Sequence, residues 1–404
     1  MSERLNNVKH LLYTAAYYPE EIDRVLDKKE PCFIKFDPEL GYVLKNYVFR
    51  DGMDSTLSSY VYHRAGYRKM FHYRDQTCRI NTYGNSFTQC AQVNDGETWQ
   101  EILAAHFREP IRNFGVGGYG AYQAYLRAMR IEQKKHLAAR YLILNIYDDD
   151  HLRNIDAARW IRVAWVCRHL PRGRRDTYPV HGFPWKHLRF DIKKGCFVEI
   201  PGCLKKASQL RYLVGKENYY RIFKDDQVAN LYCLTQGGEI DEKKLNELEQ
   251  LADAFELKID LRSKKTRQRD AMKLHQIYGQ RSTMFVLDRF RKWARDNHRE
   301  LMILLSYSAG IVQDYLKNGT RFDTEFLDFL QREKYIFVDT LEKMGEEFKF
   351  FRGNITQFCE RFYVSRAGAQ VFDHFNPFGN FWFAFAIRKE LVDWLKPPPP
   401  TYRY

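Results

Sequence analysis

Thr82-Tyr83-Gly84-Asn85-Ser86-Phe87-Thr88 lies where a short strand, expected at 79–83, passes into a helical pattern. From Cys78 onward strands and helices alternate. A helix is expected at 98–107, where Trp99, Ile102, Leu103 and Phe107 fall at helical spacing. A strand follows at 111–116 and a helix at 121–138. Tyr141-Leu142-Ile143-Leu144-Asn145-Ile146-Tyr147 is a continuous apolar run, the pattern of a strand buried on both faces of a parallel sheet. After a long interruption the alternation resumes with a helix at 284–298, a strand at 301–307, a helix at 323–333 and a strand at 335–339. A closing helix, 378–395, is stopped by the prolines at 397–400. Five strands with intervening helices predict an α/β fold, three-layer α/β/α around a mostly parallel sheet. In such sheets ligands bind beyond the carboxyl ends of the strands. Ser86, Gly118 and Asp148-Asp149-Asp150 each follow a strand, so they are expected to converge there.

Residues 1–76 read as an N-terminal extension, with a helix at 8–26, short strands at 32–36 and 42–44, and then a run of tyrosines and arginines. The α/β domain is expected at 77–395, interrupted by an insertion or lid at 151–281, with a C-terminal tail at 396–404. Residues 151–280 carry 26 Lys+Arg against 16 Asp+Glu, most of the net charge of +14. Its basic clusters are Arg168 to Arg175 and Arg262-Ser263-Lys264-Lys265-Thr266-Arg267-Gln268-Arg269. Such a field attracts anions, but a solvated basic face is the plainer reading. No zinc-finger or RNA-binding signature accompanies it, which argues against nucleic acid. Trp160, Trp165, Phe183 and Trp185 interleave with Arg159, Arg162, Arg168 and Arg189. This pattern suits a binding wall for a sugar or acyl chain, or more plainly local core. His181 and His187 read as surface or lid residues.

Apolar residues make up 45% of the 404-residue chain and aromatics 16%, enough for a sizeable core. No run of about 18 apolar residues is present, so no spanning helix is expected. The start of the sequence has no secretory pattern. The eight cysteines form no CxxC pair. Free buried thiols in a reducing compartment, the cytoplasm, are therefore expected, with no zinc site.

A serine hydroxyl is a poor nucleophile until an adjacent base takes its proton. Ser86 at a strand-to-helix turn and His374 before the last helix are two such parts. Taken singly, a serine there is often a helix cap and a histidine a core residue. Read with Asn113-Phe114-Gly115-Val116-Gly117-Gly118-Tyr119 and Asp373-His374-Phe375-Asn376-Pro377-Phe378-Gly379-Asn380, they form an ordered set. With that set in view the chain resembles the SGNH (GDSL-like) hydrolases, over roughly 78–150 and 282–395. The resemblance implies a flavodoxin-like SGNH fold, Ser86 as nucleophile, an oxyanion amide at Gly118 and His374 as general base. It implies no cofactor and no metal. The family's aspartate three residues before the histidine is replaced here by Val371. Asp373 is the substitute, provided the chain bends there; otherwise the site is a Ser–His dyad, or a backbone carbonyl holds the ring. The family's oxyanion asparagine corresponds to Asp149, whose ionised carboxylate would repel an oxyanion; Asn145 and Asn154 are the replacement candidates. Asp148-Asp149-Asp150-His151 also admits a metal reading, but consecutive residues rarely all face one ion. The expected activity is a serine esterase acting on a small-molecule or glycan ester. An acyltransferase on the same fold and a binding protein that has lost the site are the alternatives.

Overall fold

The computed structural model describes residues 5–27, 32–168, 179–366 and 369–399. Arg172, Arg174 and Arg175 of the first basic cluster lie outside these residues. The chain divides into two compact units, one of Met1–Val43 with His151–Phe285 and one of Leu44–Asp150 with Val286–Tyr404. The single leading extension expected at 1–76 is corrected: residues 1–43 join the insertion, and 44–76 join the α/β unit. Periodicity along the chain carries no trace of such a division, because it arises from contacts between distant segments.

The second unit is built on a five-stranded sheet of β1 (Ile80–Gly84), β2 (Arg112–Asn113), β3 (Tyr141–Tyr147), β4 (Glu300–Ser306) and β5 (Phe337–Asp339). All neighbours run parallel, in the spatial order β2-β1-β3-β4-β5. The order reverses between β1 and β3, which makes that junction the topological switch point. Strand β3 pairs on both edges and is buried up to Ile146, which suits its apolar run, with Asn145 as the exception. Strand β1 is fully buried although it contains Asn81 and Tyr83. The buried Glu132 carboxylate accepts from Asn81 Nδ2 at 2.6 Å and from the Tyr83 hydroxyl at 2.7 Å, so both polar groups are satisfied. Strand β2 is much shorter than 111–116. At its end the Asn113 side chain accepts from the Gly115 N–H at 2.9 Å, while the Phe114 and Val116 N–H groups still donate to the Thr82 and Gly84 carbonyls of β1 at 2.9 and 3.0 Å.

Short α1 (Ser86–Gln89) follows β1, and α2 (Ala121–Glu132) packs on β1 and β3. Beyond the sheet, β6 (Tyr363–Arg366) and β7 (Ala369–Phe375) form an antiparallel pair that feeds α3 (Pro377–Leu395). Asn376 caps α3 by accepting from the Gly379 N–H at 2.8 Å, with Pro377 in the first turn. The helix expected at 284–298 is the end of a longer one, Arg267–Asp296.

In the first unit three of the four aromatic residues singled out in the insertion are core. Trp160, Phe183 and Trp185 are buried, and the Trp185 indole donates to the Asp156 carbonyl at 2.7 Å. Tyr17 packs beside Trp160, Phe183 and Tyr219. The flanking arginines are ion-paired, Arg162 with Asp156, Arg168 with Glu21 and Arg189 with Asp226. The three buried rings therefore line no open binding wall, while Trp165 is half-buried with its ring edge-on to His10. His187, expected at the surface or in a lid, is buried against the Trp185 carbonyl, and burial holds its pKa down at about 3. His181 stacks on Tyr42. Arg262 of the second basic cluster pairs with Glu242 and Glu249, which partly neutralises that face.

Among the described residues no helix is long and apolar enough to cross a membrane. The eight cysteines form no disulfide, and all but Cys196 and Cys203 are buried.

Candidate active site

Gly84 ends β1 with φ +151°. A Cβ built there would lie 2.2 Å from Thr88 Oγ1 and 2.5 Å from the Asn145 carbonyl, so no other residue fits this turn. Asn85 then caps α1, accepting from the Phe87 N–H at 2.8 Å. Its Nδ2 donates to Asp150 Oδ2 at 2.5 Å. Asp150 also accepts from the Tyr147 N–H at 3.0 Å, so the turn after β1 is tied to the loop after β3. This fixes Ser86 at the switch point of the sheet.

Helix α1 is only four residues long and ends at Cys90 in the left-handed region, φ +58°. Its macrodipole is correspondingly small. Any stabilisation of negative charge beside Ser86 therefore rests on individual N–H groups.

The Ser86 hydroxyl lies 2.8 Å from His374 Nε2. Ser86 is buried and His374 half-buried. The ring packs beside Phe87, which stacks on Tyr147 at 4.8 Å and meets Phe375 edge-on. Two expected site residues, remote in sequence, thus share one hydrogen bond.

Asp373 does not take the expected place on the ring. Gln92 Oε1 lies 3.0 Å from His374 Nδ1 and accepts from the His374 backbone N–H at 3.0 Å. Gln92 Nε2 donates to Asp373 Oδ2 at 3.2 Å. The cause lies in the pairing of β7 with β6. Tyr363 faces Phe375 and Ser365 faces Phe372, so three steps on one strand span two on the other. The extra residue is a bulge in the segment carrying Asp373 and His374, and bulges re-aim side chains.

Gly118 has φ +85° and closes a turn in which the Tyr119 N–H donates to the Val116 carbonyl at 3.2 Å. Glycine is favoured at that position of such a turn. Neither the Gly118 nor the Ser86 N–H has an acceptor among the described residues. The adjoining Gly117 holds the loop against α1: its N–H donates to Gln89 Oε1 at 2.6 Å, and a Cβ there would lie 3.6 Å from Ser86 Cβ. Gln89 in turn donates to the Tyr47 and Tyr62 hydroxyls at 2.6 and 2.8 Å.

The substitute oxyanion donors fare differently. The Asn154 amide donates to Ser282 Oγ and Thr283 Oγ1 at 3.2 and 2.8 Å inside the first unit, which commits its N–H groups elsewhere. Asn145 is buried within β3, and neither atom of its amide has a partner among the described residues. Asp149 sits half-buried in the turn after β3. Its neighbour Asp148 accepts from the Ser308 N–H at 3.0 Å and the Ser308 hydroxyl at 2.9 Å. Burial raises the Asp148 pKa to about 7, against the pull of those hydrogen bonds. Among the described residues no group of three His, Cys, Asp or Glu side chains is placed to hold a metal ion.

Three residues of the site were missed by sequence reading: Asn85, Gln89 and Gln92. Asn85 had a signal, since a capping residue before a serine at a helix start is a recognisable pattern. Gln92 had none, because its approach to His374 depends on the chain reversal after Cys90. A scan against protein-family models finds no match for this chain, and a search of curated proteins finds none either.

Proposed function

We propose that the chain is a serine esterase of the SGNH (GDSL-like) type. The observation that carries this is the 2.8 Å contact between the Ser86 hydroxyl and His374 Nε2, with Nδ1 of the same ring held from behind. The strand order β2-β1-β3-β4-β5 is the flavodoxin-like one, which supports a three-layer SGNH fold.

In this reading His374 takes the Ser86 proton as Oγ attacks the carbonyl carbon of an ester. The carbonyl oxygen becomes an oxyanion beside the Ser86 and Gly118 amides. The proton on His374 passes to the departing alcohol, leaving an acyl-enzyme. A water molecule, deprotonated by the same ring, attacks the acyl carbon and releases the acid and the Ser86 hydroxyl. Asp149 contributes no oxyanion donor, because a carboxylate there opposes the developing charge. The resemblance supports a short acyl group on a carbohydrate or other polar alcohol as the substrate. The eight cysteines without a disulfide fit a reducing compartment such as the cytoplasm.

The test is labelling by a fluorophosphonate probe, with p-nitrophenyl acetate hydrolysis measured in parallel. The intact chain is expected to label and to turn over the ester, and Ser86→Ala to do neither. Equal labelling of the two proteins would sink the proposal, as would an intact chain that neither labels nor hydrolyses.

A further inference from the structure

We infer that Gln92 is the positioning residue for His374, so that a neutral amide stands where serine hydrolases commonly place a carboxylate; this rests on the esterase reading given above. The inference stands on three hydrogen bonds made by one side chain. Gln92 Oε1 serves both the backbone N–H and Nδ1 of His374, and Gln92 Nε2 serves the Asp373 carboxylate. Only one orientation of the amide allows this. Turned over, its NH₂ would face the His374 backbone donor and its oxygen would face a carboxylate.

The consequence for the ring follows directly. With Nδ1 donating to Gln92, the neutral imidazole carries its lone pair on Nε2, the nitrogen 2.8 Å from the Ser86 hydroxyl. Asp373 acts one bond further back, by fixing the Gln92 amide. Gln92 is 5% exposed, so water does not compete for its oxygen. Its backbone is in the left-handed region at φ +72°, unusual for glutamine. The Gln92 N–H donates to the Tyr60 hydroxyl at 2.5 Å, and that hydroxyl donates to Asp51 at 2.9 Å. A strained backbone anchored on both sides is the kind of local cost that recurs at functional sites.

The test reads the tautomer first, on the full chain with ¹⁵N-labelled histidine, above the pH at which His374 protonates. The His374 signals are assigned by comparison with His374→Gln. The Nδ1–H tautomer is expected in the wild-type chain and in Ser86→Ala, with a shift towards Nε2–H in Gln92→Met. A wild-type His374 in the Nε2–H form, or a Gln92→Met variant with an unchanged ring, overturns the inference. This readout needs no turnover, so it separates failure of the positioning role from failure of the esterase reading. With p-nitrophenyl acetate as probe, Gln92→Met is expected to lower kcat by about 10²–10³ with KM within about threefold. Gln92→Glu combined with Asp373→Asn should recover most of that loss, since the new carboxylate also accepts from Nδ1–H and the asparagine amide replaces the carboxylate that Gln92 Nε2 now serves. A Gln92→Met variant within about threefold of wild-type kcat refutes the inference. Where Gln92→Met does not fold, the wild-type tautomer and the Gln92→Glu/Asp373→Asn double variant decide the matter.

Discussion

The Ser86 hydroxyl and His374 Nε2 stand 2.8 Å apart although 288 positions separate them in sequence. Neither side chain is useful for ester cleavage alone, so their contributions should not add. Ser86→Ala and His374→Ala are each expected to lower kcat/KM for p-nitrophenyl acetate by about 10³ or more, and the double variant by about the same amount. The measurement is a double-mutant cycle on steady-state rates. Full additivity of the two losses would mean that the residues work independently, contrary to the shared hydrogen bond.

The parts of this site that could be read in sequence are those written locally. Gly84-Asn85-Ser86 closes a strand, Gly118 closes a turn, and His374 precedes a capped helix with proline in its first turn. Each is a short-range pattern of backbone chemistry, and so is the apolar run of β3. What could not be read depends on long-range geometry. Asp373 was expected on the ring because it adjoins His374, yet the bulge in β7 turns its carboxylate to Gln92. Asn154 follows closely after β3 in sequence, but Ser282 and Thr283, more than a hundred residues on, engage its amide. The division of residues 1–76 between two units has the same origin.

The Asn85–Asp150 contact makes a charge-swap prediction. Both side chains are fully buried, and Asn85 Nδ2 donates to the Asp150 carboxylate at 2.5 Å. Asn85→Asp sets two buried carboxylates against each other. It is expected to destabilise the chain by about 3 kcal/mol at neutral pH, the cost of an unpaired buried charge. Asn85→Asp combined with Asp150→Asn returns one carboxylate and one amide to the contact and should recover most of the loss. Denaturant unfolding of the three proteins decides it; a double variant no better than the single one would refute the pairing.

Gly118 and Gly84 should separate function from folding. Gly118→Ala puts a methyl group on a residue at φ +85°, next to Gly117, where a Cβ would lie 3.6 Å from Ser86 Cβ. Its expected effect is a fall of about 10²–10³ in kcat, that of losing one oxyanion donor, with a stability loss of about 1 kcal/mol. Gly84→Ala meets Thr88 Oγ1 and the Asn145 carbonyl within the fold itself. It should cost about 3 kcal/mol or more of stability, the upper range for overpacking. Thr88→Ala relieves only the first of those clashes, so the combined variant should recover part of the loss and no more. Paired kinetic and unfolding measurements distinguish the two glycines.

Asp148 gives the chain a pH dependence opposite in sign to that of a typical salt-bridged carboxylate. Its folded pKa is raised from 3.8 to about 7, chiefly by burial, while the two Ser308 hydrogen bonds pull the other way. Between those values the folded state holds a proton that the unfolded state has already lost. The unfolded state thus binds fewer protons, and stability must fall as pH rises through this window. The contribution is fully present below about pH 4, is lost by about pH 7, and stays flat above. The side chain keeps some solvent access, so the loss is expected to be about 1–2 kcal/mol, below the full linkage value. Asp148→Asn removes the titration and leaves an amide able to accept one of the Ser308 bonds. Unfolding free energies measured at pH 5 and pH 8 should then drop more in the wild-type chain than in Asp148→Asn. Equal drops in the two proteins would show that Asp148 ionises at the same pH whether the chain is folded or not.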